Sequence, residues 1–157
     1  MFTKFLTVFL VSMLPLAELR VAVPLAVGMK LPLVASYIIC IIGNMIPVPF
    51  IYFFARKVLE WGAEKPILEK PFTWILKKGE KGGEKLMAKV GRSTYVALFL
   101  FVGIPIPGTG AWTGTLAASI LDLDFKKSVL AALGGVLLAG VIMGVASTGV
   151  FSLIGLV

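Results

Sequence analysis

Two residues of opposite charge, Glu18 and Arg20, lie within a long apolar stretch near the start of the chain. A charge at bilayer depth costs about 2.5–3.5 kcal/mol, so such residues normally face a partner or a cavity. On a continuous helix their side chains point about 200° apart and would not pair, whereas in an unwound turn both could face one cavity. This interpretation makes Glu18 a proton or cation site and Arg20 an anion site. In the alternative, Glu18 lies in the first turn of a helix after Pro15, and Arg20 extends to the surface.

A second candidate site is the segment 103–110, which reads Gly-Ile-Pro-Ile-Pro-Gly-Thr-Gly. Thr109 is predicted to be the N-cap of a helix that begins near Ala111. The free amides of a half-helix N-terminus inside a membrane attract anions. Trp112, Thr113 and Thr115 could line the same cavity. The alternative interpretation is a simple hinge between two helices.

Three further polar residues are candidates of lower rank. Asn44 lies in an apolar run and needs a hydrogen-bond partner there, which favours helix–helix contact over substrate contact. Asp122 and Asp124 are predicted to form a solvated turn, with a proton path as the alternative. The predicted substrate- or proton-binding set therefore comprises Glu18, Arg20, Asn44, Pro105, Pro107, Gly108, Thr109, Gly110 and Trp112.

Composition excludes several classes of function. The chain has no histidine and a single cysteine, Cys40, so His-based triads and an intramolecular disulfide are impossible. No glycine-rich nucleotide loop is present. We therefore predict a protein that is not an enzyme and that has no cofactor and no metal site.

The apolar content predicts an all-α integral membrane protein. Of the 157 residues, 59% are hydrophobic and 15% are charged, whereas soluble domains have about 25% charged residues. We expect a single membrane domain over residues 1–157. It comprises a broken or re-entrant segment at 2–28, a spanning helix at 33–55, a polar block at 56–93, a second broken segment at 94–121 and a spanning helix at 128–157.

The polar block 56–93 holds ten Lys/Arg and five Glu residues. This excess explains most of the net charge of +7 and indicates a cytoplasmic loop, so we expect no nucleic-acid partner. We predict an amphipathic helix on the inner membrane surface from near Pro71, and a second basic helix at about 84–92. Trp61 and Trp74 suit the membrane interface.

When the chain is aligned with itself at an offset of 92 positions, a weak internal repeat is visible. Pro15 then coincides with Pro107, and Gly43 with Gly135. If both broken segments are re-entrant, one full span separates them and they enter from opposite faces. This is an inverted repeat whose tips meet near the midplane, a pointer to a transporter site. The competing model has four plain spans, and the similarity between the halves could also be chance.

Small residues recur every four positions along the last span. Such stripes allow close helix packing within the chain or between subunits, and we predict a homodimer. The two stripes are Ala131, Gly135, Ala139 and Gly140, Gly144, Thr148.

With these motifs the chain resembles the small multidrug export family of prokaryotic membrane proteins. The resemblance rests on Pro15-Leu-Ala-Glu-Leu-Arg-Val-Ala-Val-Pro24 and on residues 103–114, and it extends from about Met13 to Gly144. It implies an exporter in the cell membrane.

A more distant similarity is to DedA-like proteins, which implies two opposed re-entrant hairpins and movement of phosphate-bearing lipids such as a polyprenyl phosphate. Glu18 and Arg20 match the type of residue that those proteins place at their hairpins. The second hairpin departs from the pattern, because Thr109 and Gly110 follow Pro107-Gly108 where an arginine would be expected nearby.

The predicted function is therefore secondary transport, proton-coupled through Glu18, with small organic cations as substrates. The first alternative is translocation of a phosphate-bearing lipid, with Arg20 holding the phosphate. The second is a non-transporting membrane scaffold. We expect a multi-pass protein of the plasma membrane, with membrane lipid and a small-molecule or lipid substrate as partners.

Overall fold

The computed structural model describes residues 1–15, 17–66, 69–74, 77, 94–106, 108–153 and 155, and within them the regular structure is entirely helical. Residues 69–74 are also helical. The named helices are α1 (Phe2–Met13), α2 (Glu18–Gly28), α3 (Leu33–Met45), α4 (Pro47–Phe50), a π-helical turn (Ile51–Ala55), α5 (Arg56–Ala63), α6 (Thr94–Gly103), α7 (Ala111–Ile120) and α8 (Phe125–Leu153).

Within the described part of the chain, two helical stretches are long and apolar enough to cross a membrane. They are Leu33–Phe54, of 22 residues, and Phe125–Leu153, of 29 residues. At about 1.5 Å per residue, each exceeds a hydrocarbon core of about 30 Å. Both match the predicted spans, although α8 begins three residues earlier than expected. Asp124 explains the difference, because its Oδ1 accepts the backbone N–H of Lys127 at 2.9 Å and caps the helix.

The first long helix is irregular in its second half. Pro47 and Pro49 lack the amide hydrogens that an α-helix needs, and a π-helical turn follows at Ile51–Ala55. The carbonyl of Tyr52 in this turn accepts the hydroxyl of Ser119 at 2.6 Å. This hydrogen bond links the π-helical turn to α7.

The remaining apolar helices form two short helical hairpins. Helices α1 and α2 have 12 and 11 residues, so they extend about 18 Å and 17 Å. The Lys4 ammonium donates to the Met29 carbonyl at 3.1 Å, which joins the start of α1 to the end of α2. We call this pair, with its tip at 14–17, the first hairpin.

The second hairpin consists of α6, the tip 104–110 and α7. Both of its helices have 10 residues. The backbone N–H of Asp124 donates to the Tyr95 hydroxyl at 3.1 Å, so the start of α6 lies beside the end of α7. Gly114 of α7 faces Val102 and Leu98 of α6, because a Cβ at Gly114 would lie 2.8 Å and 3.1 Å from their side chains.

Both hairpins end in the same backbone motif. Lys30 after α2 and Asp122 after α7 have left-handed φ angles of 57° and 50°. In each case the following amide returns to the carbonyl five residues earlier, at 3.0 Å. This is a Schellman motif. The two motifs are 92 positions apart, the shift at which the repeat was predicted.

Each long helix packs closely on the first helix of the hairpin that precedes it. A Cβ at Gly43 would lie 2.8 Å from the carbonyl oxygen of Phe9, and a Cβ at Gly135 would lie 2.7 Å from that of Phe99. Backbone therefore meets backbone at both crossings, and a side chain at either glycine would force the helices apart. These two glycines are again 92 positions apart.

The small-residue stripes of α8 are used at least partly within the chain. Gly135 packs on α6, and a Cβ at Gly140 would collide with the ring of Tyr37 in α3. Gly144 has open space beside it. The homodimer stays a prediction.

The start of the polar block contains more helix than the sequence predicted. Helix α5 directly follows the π-helical turn, although its residues were expected only as part of the block. Residues 69–74 are helical where a helix was predicted from near Pro71, and its amphipathic character stays a prediction. The predicted second helix at 84–92 lies outside the described residues.

Candidate functional site

The tip of the first hairpin inserts a carboxylate into the second hairpin. Glu18 begins α2 with a left-handed φ of 49° and is only 3% exposed. Its Oε1 accepts the N–H of Trp112 at 3.0 Å, and its Oε2 accepts the N–H of Ala111 at 3.2 Å. These are the first amides of α7, which have no partner within the helix. Glu18 therefore caps α7 with a charge that the helix dipole favours.

Gly110 provides the space for this carboxylate. It is buried, its φ is 134°, and a Cβ at this position would collide with the Glu18 carboxylate. The prediction that Thr109 is the N-cap of α7 is wrong, because Gly110 is the N-cap. The Thr109 hydroxyl instead donates to the carbonyls of Ile104 and Ile106, at 3.0 Å and 2.8 Å. The amides expected to be free for an anion are occupied by Glu18.

Arg20 binds the opposite end of the same hairpin tip. Its Nη1 donates to the carbonyls of Ile106 at 2.9 Å and Thr109 at 2.6 Å. Its Nη2 donates to the carbonyls of Val102 at 3.0 Å and Ile104 at 3.2 Å. These carbonyls belong to the end of α6 and to the loop after it, where helical partners are missing. The guanidinium thus caps the C-terminus of α6, where a cation is favoured.

The two charged side chains bind backbone groups instead of pairing with each other. Glu18 uses amides of α7, and Arg20 uses carbonyls of α6 and the tip. The left-handed backbone at Glu18 unwinds the start of α2, and both side chains line the same cavity. Each charge is stabilised by the end of a helix in the other hairpin.

One side chain of the second hairpin in turn caps a helix of the first hairpin. The indole Nε1 of Trp112 donates to the carbonyl of Met13 at 3.1 Å, at the C-terminus of α1. Arg20 and Trp112 are 92 positions apart, and each caps the first helix of the opposite hairpin. Each hairpin therefore donates side-chain hydrogen bonds to the first helix of the other.

A cavity of about 430 Å³ lies between the two tips. This volume is within the range of small-molecule sites. Six residues of the predicted set line it, namely Glu18, Arg20, Pro105, Gly108, Thr109 and Trp112. Gly110 borders it through its contact with Glu18. Pro107 lies outside the described residues.

Asn44 is the predicted site residue that the structure places elsewhere. It lies in α3, is fully buried, and does not line the cavity. Among the described residues, neither polar atom of its side chain has a hydrogen-bond partner, and the same holds for the hydroxyl of buried Thr115. Thr113, in contrast, lines the cavity.

Sequence reasoning missed the apolar wall of the cavity. Ile51, Leu116 and Met143 contribute to it from three different helical segments. Ile51 begins the π-helical turn, and the prolines just before it were the available signal. Leu116 and Met143 resemble any other apolar residue of a membrane helix, so nothing in the sequence marks them.

The cavity offers acid–base and ionic chemistry. Within the described part of the chain, no group of three or more His, Cys, Asp or Glu residues could hold a metal ion. The arrangement provides one buried carboxylate and one guanidinium beside apolar walls. Such a site can take up a proton, or a charged group attached to an apolar body.

A comparison with known families matches most of the chain. A family model described as "Putative small multi-drug export protein" matches residues 18–142, which include α2, the second hairpin and the first long helix. The match begins at Glu18. No curated protein and no solved structure matches the chain.

Proposed function

The chain belongs to the small multi-drug export family, and on this premise we propose that it is a secondary transporter whose substrate binds between the two hairpin tips. The family description points to export rather than to an enzyme, and the apolar helices to a membrane protein. The proposal assigns the cavity to a hydrophobic organic cation and assigns proton coupling to Glu18.

The dimensions of the helices support a re-entrant arrangement. Helices α1, α2, α6 and α7 are each too short to cross a bilayer core, and in both hairpins the two ends are tied together. Because one long helix, Leu33–Phe54, separates the hairpins, they would enter from opposite faces. The irregular tips would then meet near the midplane, surrounded by protein as irregular backbone in a membrane requires.

The single observation that carries the proposal is the difference in remaining hydrogen-bonding capacity between Glu18 and Arg20. A carboxylate has about four acceptor positions, and Glu18 uses two of them for amides of α7. A guanidinium has five N–H groups. Arg20 directs four hydrogen bonds from its Nη atoms to carbonyls, and its Nε, which has no hydrogen-bond partner among the described residues, is buried. Of the two charged groups that line the cavity, Glu18 therefore has the larger unused hydrogen-bonding capacity.

This difference favours a cationic substrate over a phosphate-bearing one. A phosphate would have to displace the carbonyls of Val102, Ile104, Ile106 and Thr109 from Arg20, which would leave the end of α6 without its cap. A cation can approach the unused lone pairs of Glu18 while its apolar body contacts Ile51, Leu116 and Met143. Without that displacement, Arg20 can offer an anion only its buried Nε–H, which disfavours the lipid-translocase alternative.

Coupling to protons follows from competition for one carboxylate. Glu18 can carry either a proton or a substrate cation, and each lowers its affinity for the other. Exchange of the two across the membrane is then a secondary transport cycle that requires no cofactor. Protonation would also weaken the cap on α7, because a neutral carboxyl group interacts less strongly with the helix dipole.

The experiment is uptake of a fluorescent hydrophobic cation, ethidium, into proteoliposomes with a pH gradient. The wild-type protein should accumulate the dye in proportion to the gradient, and Glu18→Gln should reduce uptake to the level of empty liposomes. Glu64→Gln is the matched control, since Glu64 is exposed in the polar block and its loss should leave uptake unchanged. Gradient-driven uptake that persists in Glu18→Gln would overturn the proton role, and absence of uptake by the wild type would favour the scaffold alternative.

A further inference from the structure

Helix α5 is a direct continuation of the first long helix. The candidate span ends at Phe54, and α5 begins at Arg56 with no intervening loop. Eight residues extend about 12 Å, so α5 must lie close to the membrane surface. One part of α5 is covered by the rest of the protein, with Leu59 only 8% exposed, whereas Val58 and Trp61 are 52% and 56% exposed.

Residues 69–74 fold back onto α5. The ring of Phe72 occupies the space beside Gly62, where a Cβ would collide with it. The turn between the two segments is closed by the N–H of Lys65, which donates to the Gly62 carbonyl at 3.1 Å. We call residues 56–66 and 69–74 the interfacial hairpin. Trp74, in its second segment, is 60% exposed.

The exposed side chains of this hairpin combine indole rings with ammonium groups. Lys57, Lys65 and Lys70 are exposed, as are Glu60, Glu64 and Glu69, and the Lys65 Nζ lies 5.2 Å from the centre of the Trp61 ring. Indole rings prefer the headgroup level of a bilayer, where the apolar ring is buried and its N–H is hydrated. Lysines close to a membrane surface are attracted to anionic headgroups. The hairpin begins the block 56–93, which holds ten Lys/Arg against five Glu residues. This excess of positive charge matches a lipid surface that carries negative charge.

We propose that the interfacial hairpin binds the membrane surface that adjoins the first long helix, and that it selects anionic phospholipid there. Trp61 and Trp74 lie at headgroup depth, and the three lysines contact the lipid phosphates. Because α5 directly continues the span that ends at Phe54, its side chains lie at the level of the lipid headgroups without any rearrangement. We therefore take lipid to be the partner of this surface. This surface is separate from the cavity, so the inference holds whether or not the cavity transports a cation.

Quenching by brominated lipids tests the depth of the two tryptophans in the full chain. The protein is placed in nanodiscs whose lipids carry bromine near the headgroup or near the acyl terminus. The contributions of Trp61 and Trp74 are obtained by subtracting the emission of Trp61→Phe and Trp74→Phe from that of the wild type. Stronger quenching by the shallow bromines is expected. Full quenching by aqueous iodide with no effect of the brominated lipids would overturn the proposal.

Lipid selectivity is tested by native mass spectrometry after release from vesicles of phosphatidylcholine and phosphatidylglycerol in equal amounts. The wild type should retain phosphatidylglycerol in at least severalfold excess. The triple variant K57Q/K65Q/K70Q should lose most of that excess, and the charge-preserving control K57R/K65R/K70R should keep it. Equal retention of the two lipids by the wild type, or an unchanged excess in the glutamine variant, would show that these lysines do not select anionic lipid.

Discussion

The first hairpin contributes charged side chains to the cavity, whereas the second contributes backbone amides and carbonyls. Both have helices of 10–12 residues, both end in a Schellman motif, and both pack on a glycine of the following long helix. Their chemistry nevertheless differs at equivalent positions. Glu18 corresponds to Gly110, and Arg20 corresponds to Trp112 at the shift of 92 positions. Two similar backbones therefore form one site because their side chains are complementary.

This comparison shows how charges can be placed at a hairpin tip without pairing with each other. The second hairpin has two helix ends at its tip, the C-terminus of α6 and the N-terminus of α7, and their partial charges are opposite. Arg20 occupies the first and Glu18 the second. A direct ion pair would have neutralised both groups, whereas this arrangement leaves Glu18 with acceptors that face the cavity.

The largest expected effect is that of Arg20→Ala, which breaks the contact between the hairpins. It removes four hydrogen bonds and leaves the carbonyls of Val102 and Thr109 without the guanidinium, whereas those of Ile104 and Ile106 still accept the Thr109 hydroxyl. Buried groups left unpaired cost about 1–3 kcal/mol each, so for two carbonyls we expect a loss of about 2–6 kcal/mol in the free energy of unfolding. Denaturant titration in detergent measures it.

Arg20→Lys is the control for this variant. An ammonium keeps the charge but cannot reach all the carbonyls that the planar guanidinium contacts. An intermediate stability is expected. If Arg20→Ala were as stable as the wild type, the structural role assigned to Arg20 would be wrong, and its guanidinium would be free for an anion.

The second prediction distinguishes two glycines of the same tip. Gly110→Ala places a Cβ against the Glu18 carboxylate, and Gly108→Ala places one in open space, although both glycines have positive φ angles. Backbone strain alone costs about 1–2 kcal/mol. We expect Gly108→Ala to lose about that much stability and to keep ethidium transport. Gly110→Ala should lose more stability and abolish transport, because the carboxylate is displaced. Equal effects of the two substitutions would contradict the contact with Glu18.

The smallest expected effect is that of Trp112→Phe, which tests the contact returned by the second hairpin. The ring is largely preserved, and only the Nε1 hydrogen bond to Met13 is removed. A typical net contribution of one hydrogen bond is about 1 kcal/mol, and we expect a loss of that size on thermal or denaturant unfolding. A much larger loss would mean that the ring itself, and not the bond, holds the tips together.

The sequence predicted the long helices because their signal is local. An apolar run of more than 20 residues has few other structures available, and Leu33–Phe54 and Phe125–Leu153 lie within a few residues of the expected bounds. The breaks at Pro15 and at 103–110 were predicted for the same reason, since proline, glycine and charge interrupt a helix. The recurrence of Pro15 at Pro107 also pointed to related halves.

The partners of Glu18 and Arg20 were not predictable in the same way. Every residue except proline carries an amide, so no side-chain pattern indicates that Glu18 binds the amides of Ala111 and Trp112, more than 90 positions later. Thr109 was expected to cap α7 because sequence rules consider local caps only. The cap is instead Glu18 of the other hairpin. In the sequence, the glycine at 110 was the signal that another group lies close to the backbone there.

The account rests on Glu18 as the group that exchanges a proton for a cation. Calorimetric titration of the purified protein with tetraphenylphosphonium, in buffers of different ionisation enthalpy, measures both affinity and proton release. If Glu18 exchanges a proton for a cation, the affinity for tetraphenylphosphonium falls as the pH is lowered and protons are released on binding. Both effects are lost in Glu18→Gln. Binding by Glu18→Gln with the affinity and pH dependence of the wild type would contradict it.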